Sequence, residues 1–248
     1  MRQRILITGA SSGLGKQMAI EYAYQGRDLV LCARRLENLQ QLQQQLLQVN
    51  ANISVHIYPL DVDDHQSVFD VFNQAAEQLG GLDRIIINAG IGKGASIGTG
   101  QFQANKATAM TNFVAALAQA EAAMAIFRRQ NAGHLVTISS VSAARGFRRA
   151  MTVYAATKAA LTSMTEGIAV DVLGTPIKVS CIHPGFIRTE INAKVDKVPF
   201  IVDLETGGRA LYAAIEKERP ASYVPSWPWA VVYRLLALVP QSFLRKLS

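Results

Sequence analysis

Two residues four positions apart, Tyr154 and Lys158, have side chains suited to general acid–base chemistry. On a helix this spacing places both side chains on one face. An ammonium group near a phenol favours the phenolate and lowers the phenol pKa from its usual value of about 10. Such a tyrosine could exchange a proton with a carbonyl or alcohol oxygen near neutral pH. Because Tyr-x-x-x-Lys also arises by chance on helices, the pair needs support from the rest of the chain.

That support begins near the N-terminus, where the first apolar run leads into a glycine-rich turn, Thr8-Gly-Ala-Ser-Ser-Gly-Leu-Gly15. Its glycines allow a tight turn, close approach of the backbone to a pyrophosphate and close packing of helix on strand. The free N–H groups and dipole of the following helix favour phosphates. The turn therefore predicts a dinucleotide site that includes Gly9, Ser11, Ser12, Gly13, Leu14 and Gly15.

The residues after the second apolar run indicate which dinucleotide fits. An NAD site typically has an acidic residue about 20 positions after the glycine turn, where it binds the ribose hydroxyls. Here Arg34 lies nineteen positions after Gly15 and is followed by Arg35. A guanidinium matches a phosphate in charge and geometry. We therefore expect NADP(H), with its 2′-phosphate at the arginine pair.

Short apolar runs alternate with helical patterns along the whole chain. Strands are predicted at residues 4–8, 28–33, 54–59, 84–88, 134–139, 178–183 and 222–225. Helices are predicted at residues 13–25, 36–49, 66–79, 108–129, 153–173 and 206–218. Such alternation implies parallel strands joined by crossover helices, with ligands at the carboxyl ends of the strands. The fold class is α/β: a Rossmann-type doubly wound, seven-stranded parallel sheet with helices on both faces, in a single domain spanning residues 1–248.

Composition and charge narrow the class of partner. The formal net charge is +7, with no long Lys/Arg run and no nucleic-acid motif, so we expect no nucleic-acid partner. A phosphorylated cofactor and an anionic ligand or membrane account better for this charge. Cys32 and Cys181 each lie within an apolar run, which predicts reduced thiols in a cytoplasmic protein. The histidines lack metal-ligand spacing, so no metal is expected. No signal peptide and no uncharged membrane span is expected.

Taken in order, these motifs resemble the short-chain dehydrogenase/reductase family, in its roughly 250-residue branch, from Arg4 to about Thr189. The resemblance implies that Asn112 holds a proton-relay water and that Ser140 is the catalytic serine beside Tyr154 and Lys158. It also implies that Tyr154 and Lys158 themselves contact the cofactor. Further cofactor contacts implied at the strand ends are Asp61, Val62, Asn88, Ala89, Gly90, Pro184, Gly185, Ile187 and Thr189.

One departure from the family pattern concerns the serine. Ser140 precedes Tyr154 by fourteen positions, where the family more often has thirteen. The loop containing Arg145, Arg148 and Arg149 could absorb one extra residue. Ser142, at twelve positions, is the alternative, but it lies deeper in the loop. Ser140 is the preferred assignment.

The implied activity is hydride transfer between NADP(H) and a carbonyl or secondary alcohol of a lipophilic substrate. Ser140 would donate a hydrogen bond to the substrate oxygen and Tyr154 would supply the proton, stabilising charge where it develops. The alternative is a non-catalytic NADP-binding sensor or scaffold on the same fold. In this family, helices corresponding to residues 115–127 and to the Tyr154 helix commonly form subunit contacts, so a homodimer or homotetramer is expected.

Two segments remain open. Residues 190–205 are expected to form a small lid over the nicotinamide. Residues 225–248 form an apolar extension that contains both tryptophans and ends near Arg245 and Lys246. This pattern is typical of an interfacial membrane helix, and it equally suits a helix capping a lipophilic pocket or a subunit contact. The three arginines after Ser140 could attract an anionic substrate or could lie in a solvated loop.

Overall fold

The structure is a computed structural model that describes residues 2–190 and 199–247. Its strands are β1 (Arg4–Thr8), β2 (Asp28–Ala33), β3 (Val55–Pro59), β4 (Arg84–Ile87), β5 (Gly133–Ile138), β6 (Ile177–Pro184) and β7 (Ala221–Val224). Its helices are α1 (Gly13–Tyr24), α2 (Leu36–Val49), α3 (His65–Leu79), α4 (Phe102–Ala109), α5 (Ala115–Gln130), α6 (Met151–Asp171), α7 (Leu204–Ile215), α8 (Ser226–Leu236) and α9 (Gln241–Leu247). The seven strands form one sheet in the order β3-β2-β1-β4-β5-β6-β7, and every neighbouring pair is parallel. The predicted Rossmann-type fold is confirmed.

The sheet is covered on both faces because alternate residues of each strand point into opposite cores. In β1, Leu6 packs into the core that includes Phe127 of α5. Its neighbour Ile7 packs into the other core, with Met18 of α1 and Leu211 of α7. This layering leaves the loops at the carboxyl ends of the strands to form a site.

The helix predicted at residues 108–129 begins earlier, at Phe102, and contains a π-helical turn instead of α-helix throughout. α4 and α5 are joined by one π-helical turn, Met110–Val114. In the described part of the chain, the continuous helix Phe102–Gln130 alone has the length and hydropathy of a membrane span, but 67% of its apolar window is buried inside the domain. Alanines such as Ala116 and Ala120 pack in the core, so the helix is a core element.

A network of hydrogen bonds and ion pairs around Arg84 lies at the amino-terminal edge of the sheet, opposite the carboxyl ends of the strands. Arg84 is fully buried at the start of β4, and its Nε donates to Nδ1 of His134 at 2.8 Å. Its Nη1 donates to the Tyr22 hydroxyl at 3.0 Å and also to Glu216, while Nη2 donates to Glu218 at 3.3 Å. The network ties the central strands to the end of α1 and to the residues that follow α7.

The C-terminal extension packs back on its own chain. Trp229 of α8 is buried, and its ring lies 5.4 Å from that of Phe186. Of the predicted lid, residues 191–198 lie outside the described residues. Beyond them, Val202 pairs with Ile187 in an isolated parallel bridge, and Asp203 caps α7 by accepting a hydrogen bond from the Thr206 N–H.

Candidate active site

Tyr154 and Lys158 lie in the first two turns of α6, at the carboxyl end of β5. Lys158 is buried, and its Nζ donates to the Ile138 carbonyl at 2.8 Å. The same Nζ lies 5.8 Å from the centre of the half-buried Tyr154 ring. The helix therefore places both side chains beside the last residue of β5, as their spacing predicts.

The lowered pKa expected for Tyr154 is not what the structure supports. Burial raises the pKa of Tyr154, and the hydrogen bond with the Ser140 hydroxyl, which favours the phenolate, offsets this only in part. Burial likewise lowers the pKa of Lys158 to about 8. Both shifts have one cause, since removal from water disfavours whichever form is charged. The phenol is held in its protonated form, which is the form that can donate a proton.

Ser140 lies between β5 and a short 3-10 turn, Val141–Ala144. Its Oγ accepts hydrogen bonds from the Ser142 N–H at 3.1 Å and from the Ser142 hydroxyl at 2.9 Å. The neighbouring Ser139 is engaged differently, because its hydroxyl donates to the Lys158 carbonyl at 2.9 Å and lies 2.8 Å from the Thr162 hydroxyl. The structure thus brings Ser140 to Tyr154 and gives Ser142 a supporting position.

Asn112 lies in the π-helical turn, a distortion that frequently marks functional sites. Its Oδ1 accepts from the Ile91 N–H at 2.8 Å, and its Nδ2 donates to the Ile91 carbonyl at 2.9 Å. A Cβ added to Gly90 would lie 3.2 Å from Asn112 Oδ1 and 3.7 Å from Lys158 Nζ. The turn therefore brings Asn112 next to Lys158 and fixes the loop after β4.

The glycine-rich turn fits the phosphates of a dinucleotide. Gly9 has a φ of +64°, and a Cβ on Gly15 would lie 2.4 Å from the Gly9 carbonyl oxygen. Within the described part of the chain, Ser12 at the N-cap of α1 makes no side-chain capping bond, so the first N–H groups of the helix remain available to an anion. Thr189 comes within 3.7 Å of the Cβ position of Gly13, which brings the segment after β6 to the same turn.

Both arginines at the end of β2 lie beside this turn. Arg35 Nη2 donates to the hydroxyls of Ser12 at 2.7 Å and Ser11 at 3.3 Å. Arg34 is exposed, and its Nη1 lies 4.0 Å from a carboxylate oxygen of Asp61. The predicted cation pair is present, with Arg35 turned toward the glycine-rich turn and Arg34 toward the predicted adenine contact.

The turn after β4 supports this architecture. The Asn88 amide donates to the Thr8 carbonyl at 2.9 Å, and the Thr8 hydroxyl accepts from the N–H groups of Asn88 and Ala89. Val62, next to Asp61, is buried. In the segment after β6, Ile187 is buried, and a Cβ on Gly185 would lie only 2.1 Å from the Trp229 indole nitrogen. Glycine is therefore required at residue 185 for α8 to pack here.

Sequence reasoning missed how the C-terminal extension reaches the surroundings of Ser140. The ring of His183 lies 5.0 Å from that of Tyr233 in α8, and His183 Nδ1 lies 3.3 Å from the Ser140 carbonyl oxygen. Burial lowers the pKa of His183 to about 4, which keeps the imidazole neutral and suits a packing residue rather than a base. The aromatic residues of the extension were the available signal, but they do not identify their partners.

A cavity of about 360 Å³ lies between α4 and the start of α6, where Tyr154 is located. Its walls include Ile97, Phe102, Lys106 and Val153, the residue before Tyr154. Among the described residues, its lining does not include Asn112, Ser140, Tyr154 or Lys158, so the cavity adjoins the candidate site without containing these side chains.

Comparisons with known proteins agree with this geometry. Residues 3–199 match the family model described as short chain dehydrogenase. An uncharacterized oxidoreductase of Mycobacterium tuberculosis is 47% identical over 247 residues, covering 100% of this chain and 98% of the relative.

Two solved structures show the same fold. The crystal structure of levodione reductase has a TM-score of 0.73 and 27% identity, and the match covers 76% of this chain and 73% of that one. An alcohol dehydrogenase from Thermococcus sibiricus, complexed with 5-hydroxy-NADP, has a TM-score of 0.79 and 21% identity, over 89% of this chain and 94% of that one. With its glycine-rich turn, its Tyr-x-x-x-Lys pair and its seven-stranded sheet, the chain belongs to the short-chain dehydrogenase family of oxidoreductases, which use a nicotinamide cofactor.

Proposed function

We propose that the protein is an NADP(H)-dependent oxidoreductase that interconverts a carbonyl and a secondary alcohol on a lipophilic substrate. The observation that carries this proposal is the convergence of Ser140, Tyr154 and Lys158 at the carboxyl end of β5. A hydrogen-bond donor, a protonated phenol and a cation then lie together beside a cradle suited to phosphates.

When bound, the nicotinamide supplies or accepts the hydride. Ser140 donates a hydrogen bond to the substrate oxygen, where negative charge develops during reduction. Tyr154 donates its proton to the same oxygen, and in the reverse direction it accepts that proton. Burial raises the pKa of Tyr154 and so favours the protonated phenol, the form that donates a proton during reduction.

Lys158 and Asn112 support that step. The Lys158 ammonium, anchored on the Ile138 carbonyl, stabilises negative charge on the phenol as its proton leaves. It is also the group placed to hold the nicotinamide ribose. Asn112, which neighbours Gly90 and Lys158, would hold a water that returns the proton.

The preference for NADP(H) is inferred from the charge at the end of β2. Arg35 donates to the hydroxyls of Ser11 and Ser12, and Arg34 lies next to it in the chain. A guanidinium pair attracts a ribose phosphate more strongly than a ribose hydroxyl. Asp61 faces Arg34 at 4.0 Å and is exposed, so it does not neutralise the pair.

The lipophilic substrate is inferred from the aromatic side chains beside the Pro184–Gly185 turn. Phe186, Phe200 and Trp229 make edge-to-face contacts with centroid distances of 5.4 and 6.0 Å to the tryptophan. Tyr233 adds a further ring behind Ser140. This aromatic cluster makes the surroundings of the turn after β6 apolar, which favours a lipophilic substrate over a hydrophilic one.

The test is oxidation of NADPH, followed by its absorbance, against a panel of ketones, aldehydes and quinones. Wild type should turn over at least one class, and Tyr154→Phe should lose about 100-fold or more in kcat while still binding NADPH. Tyr24→Phe, at an exposed tyrosine of α1, is the matched control and should retain wild-type activity.

Turnover that persists in Tyr154→Phe would contradict the mechanism. NADPH binding without turnover of any carbonyl would instead support a sensor or scaffold.

A further inference from the structure

The C-terminal segment has two apolar faces that differ in what they contact. The inner face of α8 carries Trp229, packed over Gly185, and Tyr233, packed on His183 and Tyr223. Of the other apolar side chains, Leu244 is buried, whereas Trp227, Val231, Leu235, Leu238 and Phe243 are exposed. Of these, Val231, Leu235 and Leu238 follow helical spacing and share one side.

We call the exposed apolar side chains of this segment the C-terminal apolar face. Its members are Trp227, Val231, Leu235, Leu238 and Phe243. Leu238 is 79% exposed and Trp227 is 76% exposed, although both are among the most apolar side chains. Clustered exposure of this kind marks an interaction surface rather than a scatter of surface residues.

The charge around this face has one sign. No acidic residue follows Glu218, whereas Arg234, Arg245 and Lys246 lie within the segment. Arg234 and Arg245 are exposed. Apolar side chains with an aromatic residue and flanking cations are the composition of interfacial helices that bind anionic lipids.

A second cationic stretch lies against the same segment. Arg145 Nη1 donates to the carbonyls of Leu236 at 3.3 Å and Ala237 at 2.8 Å, at the end of α8. Its loop lies in a stretch without any acidic residue, between Glu121 and Glu166, and also contains Arg148 and Arg149. The loop and the segment therefore present one cationic, apolar surface beside Ser140.

We propose that the C-terminal apolar face docks on the surface of an anionic lipid bilayer. A second copy of the chain is a poorer occupant, because a two-fold contact would bring two cationic, acid-free surfaces together. An anionic bilayer instead supplies both the apolar phase for Trp227 and Leu238 and the negative charge for the arginines.

Docking in this way brings the loop that follows Ser140 near the lipid, because Arg145 of that loop binds the carbonyls at the end of α8. The inner face of α8 lies on the turn after β6, so the bilayer and the candidate site lie on opposite sides of one helix. The docking surface rests on the geometry of the segment. Its consequence, that a lipophilic carbonyl reaches Tyr154 from the bilayer, rests on the proposed function.

The experiment is flotation of the full chain with vesicles of phosphatidylcholine alone or mixed with phosphatidylglycerol. Wild type should float with the mixed vesicles and far less with phosphatidylcholine. The Leu235→Ser/Leu238→Ser variant should lose roughly tenfold or more of the floated fraction. Arg234→Gln/Arg245→Gln should weaken flotation on the mixed vesicles and make it less sensitive to salt.

Leu173→Ser is the matched control, because Leu173 is 76% exposed but follows α6 at the opposite edge of the sheet. This variant should float like wild type. NADPH binding verifies that each variant is folded.

A second measurement follows tryptophan fluorescence in the wild-type protein, whose docking surface carries no substitution. Brominated lipids in the mixed vesicles should quench the fluorescence of wild type, and Trp227→Phe should abolish most of that quenching because Trp229 is buried.

The proposal of bilayer docking would be overturned if wild type and the double serine variant floated equally, or if the brominated lipids did not quench the fluorescence. A wild-type dimer that the double serine variant loses, with no flotation, would show that a second copy covers the face. Reduction of a water-soluble carbonyl in these cases would leave the proposed function intact, so the two proposals fail separately.

Discussion

The Ser142 hydroxyl lies 2.9 Å from the Ser140 hydroxyl oxygen and donates a hydrogen bond to it. The Ser142 N–H donates to the same oxygen at 3.1 Å. A hydroxyl has two acceptor positions and one donor hydrogen. With both acceptor positions filled, the Ser140 hydrogen is left to point at another acceptor, either Tyr154 or the substrate oxygen. Ser142 therefore favours the donor role that the proposed mechanism assigns to Ser140.

Ser142→Ala should lower kcat about fivefold and leave KM nearly unchanged, since one neutral hydrogen bond contributes about 1 kcal/mol. Steady-state kinetics with the best substrate of the carbonyl panel measures this. Ser163→Ala, at an exposed serine of α6, should have no effect.

The double variant Ser140→Ala/Ser142→Ala separates orientation from direct contact. If Ser142 acts through Ser140, the double variant should be no slower than Ser140→Ala alone. Additive losses would show that Ser142 contacts the substrate itself and would contradict a supporting role.

Cofactor preference should depend on both arginines at the end of β2. Arg34→Asp and Arg35→Ala should each lower the ratio of kcat/KM for NADPH to that for NADH by about tenfold or more, because a charge-assisted hydrogen bond to phosphate contributes about 1.5–3 kcal/mol. Arg128→Ala, at an exposed arginine near the end of α5, should leave the ratio unchanged. If Arg35→Ala alone changed the ratio, Arg35 and not Arg34 would be the selector.

Lys158→Met should abolish turnover and yet stabilise the fold at neutral pH. Burial lowers the pKa of Lys158 from 10.5 to about 8, so the folded protein holds the charged lysine at a cost of up to about 3 kcal/mol below pH 8. Between pH 8 and 10.5 the unfolded chain binds more protons at this site, so that cost disappears as the pH rises. The stability gain of Lys158→Met should therefore be present at pH 7 and mostly absent at pH 10.

Urea denaturation at both pH values measures this difference. Lys178→Met, at an exposed lysine of β6, should show no pH-dependent gain. A gain for Lys158→Met that is equal at both pH values would point to better packing instead.

The strand positions were predictable because a strand covered on both faces appears in the sequence as a short, continuous apolar run. The runs beginning at Arg4 and Asp28 end within the structure where they were predicted to end, since both faces of each strand are covered. The π-helical turn around Asn112 was not predictable, because it arises from the fit of the helix to Ile91 and Lys158 and no residue pattern specifies it.

The direction of the Tyr154 pKa shift was predicted wrongly, because the sequence argument considered the neighbouring cation and not burial. Spacing shows that Tyr154 and Lys158 share a face, but it does not show how deeply they are buried, and burial decides the direction of both shifts. The C-terminal extension presents the same difficulty. Composition identified it as apolar, yet its division into an inner face on His183 and an exposed face emerges only from packing.

The network around Arg84 predicts sensitivity to acid far from the candidate site. Burial and the neighbouring Arg84 lower the pKa of His134 from 6.5 to about 3, and the His134 ring also pairs with the Ser180 hydroxyl at 2.8 Å. Between pH 6.5 and 3 the unfolded chain binds a proton at His134 and the folded chain does not, so the free energy of unfolding falls as the pH drops. By pH 5 this proton binding should lower the free energy of unfolding of wild type by about 2 kcal/mol relative to pH 7.5.

His134→Gln keeps hydrogen-bonding capacity without titrating, so its free energy of unfolding should fall less over the same interval. Because other groups also titrate, the decisive quantity is the difference between the two proteins in urea denaturation at pH 7.5 and 5. An equal fall in both would mean that His134 is already protonated in the folded protein at pH 5.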